Sequence, residues 1–63
     1  MALTRLVGEC EDGECPAIYA TDRATLAFQG NILTDHGLKI PPHEALVEVP
    51  IDIIRKAIRD NLI

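Results

Sequence analysis

The order of apolar and polar positions divides the chain into short alternating stretches and one longer periodic stretch. The cleanest period of two is Thr25–Gln29, which places Leu26 and Phe28 on one face and Thr25, Ala27 and Gln29 on the other. We read it as a strand whose Leu26/Phe28 face meets the core. Before it, Ala17–Thr21 carries Ile18, Tyr19 and Thr21, the residue types that fit a pleated, half-buried surface. Asp22-Arg23-Ala24 is the turn between the two, with the Asp22 carboxylate expected to accept from backbone N–H groups two residues on. Leu3–Val7 reads as a first strand ended by Gly8, although neither of its faces is cleanly polar. Beyond Gly30, which marks a bulge or bend, Ile32-Leu33-Thr34 continues the apolar run, Leu38 and Ile40 share a face, and Pro41-Pro42 bars a helix. Ala45–Val49 is a further strand, with Ala45, Val47 and Val49 on one side.

The periodicity then changes. From Pro50, taken as the first helical residue, to about Asn61, the residues Ile51, Ile54, Ile58 and Leu62 recur at helical spacing, with Ile53 and Ala57 widening the stripe. Arg55, Lys56, Arg59 and Asp60 form the solvent side. These elements predict an α+β fold: a small, mostly antiparallel sheet of three to four strands with one C-terminal helix packed on it, as a single domain over residues 1–63.

Size limits what such a fold can do. A chain of 63 residues buries only about 60% of the surface its unfolded form exposes. Aromatic residues make up 3% of it, so the core must come from aliphatic groups. A disulfide, a metal or a partner subunit can complete a marginal core, and a homo-oligomer or a bound partner is expected. The formal net charge of −4, with Glu9, Glu11, Asp12 and Glu14 clustered, argues against nucleic acid and membrane surfaces as partners. No run approaches the ~18 apolar residues of a membrane span, and residues 1–8 do not read as a signal peptide. The chain is accordingly placed in the cytoplasm.

Cys10 and Cys15, with four residues between them around Asp12-Gly13, are the sharpest chemical feature. A glycine-containing turn can bring the two sulfurs together. Reduced thiols, a local disulfide, a redox switch and a zinc site with His36 and His43 are all open to such a pair. The leading expectation includes no cofactor, with zinc as the alternative. No nucleophile–base set and no glycine-rich phosphate loop is visible, so an enzyme is not expected. Tyr19, Asp22 and Arg23 at the hairpin are the candidate partner-binding residues, since Tyr and Arg are enriched among interface hot spots.

Two resemblances bear on function. Cys15-Pro16-Ala17-Ile18-Tyr19-Ala20-Thr21-Asp22-Arg23-Ala24-Thr25, then Phe28-Gln29-Gly30 and Val47-Glu48-Val49-Pro50, resembles a group of short uncharacterised actinobacterial proteins often encoded near helix-turn-helix regulators. The resemblance covers about two-thirds of the chain and departs from the group at Ala24, where glycine is usual, so the turn type there stays open. It implies a small protein-binding module, accessory to a transcriptional regulator, with a helix-turn-helix protein as partner, and it supplies no catalytic residue. The order strand, Pro50, helix in Leu46–Ala57 also resembles the swapped-hairpin DNA-binding antitoxins of the AbrB/MazE type, which would imply a DNA-binding dimer.

Overall fold

A computed structural model describes residues 1–10, 13 and 15–63. Glu11, Asp12 and Glu14, and with them most of the expected acidic loop and its Asp12-Gly13 turn, lie outside the described residues; Gly13 itself takes a φ of 82°. The fold is α+β. Strands β1 (Leu3–Gly8), β2 (Ala17–Thr21) and β3 (Leu26–Gln29) form an antiparallel sheet in the order β1-β2-β3. Strands β4 (Asn31–Leu33) and β5 (Leu46–Glu48) form a separate antiparallel ribbon, and α1 (Ile51–Arg59) follows directly.

The expected single sheet is thus divided in two, and Gly30 is where it divides. A Cβ at this position would collide with the Glu48 carbonyl oxygen and stand 2.9 Å from Val49 Cγ1. The absence of a side chain lets the end of β3 pass directly against the end of β5. Residues 38–40, whose aliphatics share a face in the sequence, form no strand.

β1 shows why its alternation is unclean. It pairs Arg5 with Tyr19 and Val7 with Ile18, leaving Leu6 as an extra residue at a bulge. The bulge brings Val7 onto the face of Ile18, across which Phe28 lies on β3. That face meets α1. The buried core is Val7, Ile18, Ile53 and Ala57, with Leu6, Val49 and Ile54 packed around it. Ala57 has no side chain beyond Cβ, so the helix lies close over β1.

Two expectations about facing need correction. Leu26 and Phe28 do lie on the core face of the sheet, yet each is 39% exposed, because the helix covers β1 and β2 and stops short of the β3 edge. The helix is also rotated relative to the predicted stripe: Ile53 and Ala57 are buried, Ile54 is half-buried, and Ile51, Ile58 and Leu62 face outward. Pro50 is the N-cap residue and not the first helical one. At the other end, Asn61 takes a φ of 57° while Asn61 N–H donates to Ile58 O (3.1 Å) and Leu62 N–H to Ala57 O (2.8 Å). This is a Schellman closure with asparagine in the left-handed position. Asp52 in the first turn and Lys56 and Arg59 in the last complement the helix dipole.

Candidate binding surface

The hairpin joining β2 to β3 is held by one hydroxyl. Thr21 Oγ1 accepts from the N–H of Arg23 (3.1 Å) and of Thr25 (3.3 Å), and sits 2.6 Å from Thr25 Oγ1. Thr21 N–H donates to Thr25 O at 3.0 Å. The expected Asx role of Asp22 is therefore taken by Thr21. The Asp22 carboxylate instead accepts from Ala2 N–H at 3.1 Å, tying the N-terminal residues to the turn. Ala24 completes the turn at a φ of 58°. An L-residue with a Cβ is held there at a cost of about 1 kcal/mol, offset by the hydrogen bonds around it. Asp22 and Arg23 are both exposed, and Arg23 Nη2 lies 3.3 Å from Met1 Sδ.

Tyr19 is not part of this tip. It pairs with Arg5 and Ala27 on the sheet face opposite the helix, is half-buried, and its hydroxyl donates to Gln29 Oε1 at 3.1 Å. The structure therefore brings Asp22 and Arg23 together and commits Tyr19 to an internal network.

That network holds the cysteine loop. Cys10 and Cys15 are joined as a disulfide, with Cα atoms 5.7 Å apart. It closes the β1–β2 hairpin just beyond the Glu9 N–H to Pro16 O hydrogen bond (3.1 Å). Arg5 Nη2 donates to Cys10 O, and Gln29 Nε2 donates to Gly13 O at 2.6 Å. Gly8 leaves room for the arginine: a Cβ there would stand 2.9 Å from Arg5 Cζ. Neither Arg5 nor Gln29 stood out in the sequence. Their signal was positional, since both fall on the same face as Tyr19 once the strand registers are known.

The four residues considered for zinc are not assembled. The sulfurs are bonded to each other and so are not thiolate ligands in this state. His36 Nδ1 accepts from Leu38 N–H at 3.0 Å, and exposed His43 lies beside Glu44. Among the described residues no group of three or more His, Cys, Asp or Glu side chains is placed to hold a metal ion.

A cleft of about 250 Å³ lies where the two sheets meet, lined by Pro16, Asn31, Glu48, Val49 and Pro50. Among the described residues, no helix is long and apolar enough to cross a membrane. Compared with protein-family models, curated proteins and solved structures, the chain matches none.

Proposed function

We propose that the chain is a small, non-enzymatic protein-binding module of the cytoplasm that docks a partner protein on the tip of the β2–β3 hairpin. The observation that carries this reading is the turn itself. Exposed Asp22 and Arg23 are presented on a backbone fixed by the Thr21 hydroxyl and held in a left-handed conformation at Ala24. Strain kept at an exposed position favours a functional role over a purely structural one. A pre-ordered turn also lowers the entropy lost on docking. The adjoining half-exposed Leu26 supplies apolar area beside the two charges. The resemblance of Cys15–Thr25 to proteins encoded near helix-turn-helix regulators makes such a regulator the first partner to test.

The test is affinity capture with the full chain against helix-turn-helix regulators of the same cell. Wild type should retain such a regulator, and Arg23→Ala should weaken retention by about tenfold or more. Equal retention by both, or by neither, removes the reading.

A second reading, a redox-sensitive module, is favoured by the bridged Cys10–Cys15 pair and its two clamps from Arg5 and Gln29. Cytosolic disulfides are mostly transient or redox-sensing. Reduction by a dithiol would convert the bridge to two thiols and oxidise the dithiol to its disulfide. Titration against glutathione should then give a midpoint inside the cytosolic range, about −220 to −320 mV. A midpoint well below that range would make the bridge purely structural.

A further inference from the structure

The chain exposes more surface than a folded monomer of its size should. For a mass of 6.9 kDa the size scaling gives roughly 4,000 Å² of accessible surface. The observed value is 4976 Å², an excess of about 1,000 Å² over that scaling. The radius of gyration, 12.6 Å, likewise exceeds the roughly 10–11 Å expected for a closed domain of this length.

Much of the exposed apolar surface lies in two places close along the chain. The first is α1. With 3.6 residues per turn, Ile53, Ala57, Ile54, Ile58 and Ile51 span an arc of roughly 160°, wider than the ~100° stripe of a helix that packs on one surface. The three-stranded sheet covers the Ile53/Ala57 side, while Ile51 and Ile58 remain 61% and 58% exposed. The second is the β4–β5 ribbon. Its strands of three residues each are apolar on both faces, with the Ile32/Val47 pair on one and Leu33/Leu46 on the other. Ile32 is 67% exposed. A ribbon this short is marginal by itself and needs further strands or a packed face. Only Val49 and Pro50 separate β5 from α1, so the ribbon and the start of the helix are neighbours along the chain.

We propose that the β4–β5 ribbon and the uncovered arc of α1 together form the interface with a second copy of this chain. The area is of the size that this occupant needs. A standard interface buries about 800 Å² per partner, close to the ~1,000 Å² excess over the size scaling. In a two-fold dimer each copy offers the same ribbon and the same helix arc, so one closed contact covers both sets and no surface is left to propagate. Asp52, Arg55, Lys56 and Arg59, on the polar half of α1, remain at the rim in water. The proposal uses none of the residues of the hairpin tip.

The experiment is sedimentation velocity and native mass spectrometry of the oxidised full chain at tens of micromolar. The expected species contains two chains. Ile58→Glu and, separately, Ile32→Glu should each raise the dimer dissociation constant by about 30-fold or more, with the helical circular dichroism retained. Arg23→Ala, which tests the hairpin tip, should leave the dimer unchanged. A single-chain mass for wild type overturns the proposal. So does a dimer that both charged variants leave intact, or wild type that associates only with another protein or with lipid vesicles. Should either variant lose its fold, amide hydrogen exchange of wild type decides. Residues 31–33 and 46–48 should exchange about tenfold more slowly in concentrated than in dilute protein, by the mass action of assembly; equal exchange overturns it.

Discussion

At the scale of single residues, two backbone positions carry more of the design than any side chain. Ala24 occupies a left-handed conformation at φ 58°, where alanine costs on the order of 1–2 kcal/mol. Ala24→Gly removes that cost and adds about 0.4–1 kcal/mol of unfolded-state entropy. The net expectation is a gain of about 0.5 kcal/mol, seen as a rise of roughly 2–4 °C in the thermal midpoint. A fall would mean that the Cβ of Ala24 makes a stabilising contact. Gly30 is the opposite case. Its substitution by alanine drives a Cβ into the Glu48 carbonyl, and we expect Gly30→Ala to cost about 2 kcal/mol by forcing β5 away, measured by chemical denaturation. The sequence marked Gly30 as a bulge or bend; it did not show that the partner in the close approach was Glu48, eighteen positions on.

At the scale of elements, the small core makes each packed group count. Ile53 is 5% exposed and packs with fully buried Ile18 beneath α1. Ile53→Ala should cost about 3 kcal/mol from lost burial and the cavity left behind. For a chain of this length total stability is only about 3–9 kcal/mol, so we expect helix loss at physiological temperature by circular dichroism. Ile58→Ala, on the outward arc of the same helix, should cost well under 1 kcal/mol in dilute solution. The contrast between these neighbouring isoleucines tests the observed rotation of the helix. The β1–β2 hairpin has its own staple: closing a loop of this size by Cys10–Cys15 contributes about 2 kcal/mol in the chain-entropy account. Treatment with a dithiol reductant should lower the denaturation midpoint accordingly. An unchanged midpoint would show that Arg5 and Gln29 hold the loop without the bridge.

At the scale of the whole molecule, twelve large hydrophobic side chains are exposed among the described residues. Water contact on that scale is what a chain with too little sheet for its helix and ribbon must accept alone. If a second copy covers the ribbon and the outer arc of α1, stability depends on concentration. The thermal midpoint should then rise by several degrees between about 5 and 500 µM, because assembly binds only the folded chain. A constant midpoint over that range is the behaviour of an isolated folded monomer.

The order of elements, the strand pair around Asp22–Ala24 and the C-terminal helix were all legible in the sequence, because they depend on local period and local turn chemistry. Residues such as Leu26 and Phe28 declare their face by spacing alone. Which of two apolar faces is covered is a different matter, since it depends on how far the neighbouring element reaches. The sheet reaches Ile53 and Ala57 but not Ile51 and Ile58, and α1 reaches Ile18 but stops short of Phe28, which is 39% exposed. Nor can one-dimensional periodicity register the Leu6 bulge, which resets the face of β1 between Arg5 and Val7, or the pairing of strands that sets Arg5 and Gln29 over the cysteine loop. Composition and period determined what this chain builds; the reach of one surface over another, a three-dimensional property, decided what it leaves open.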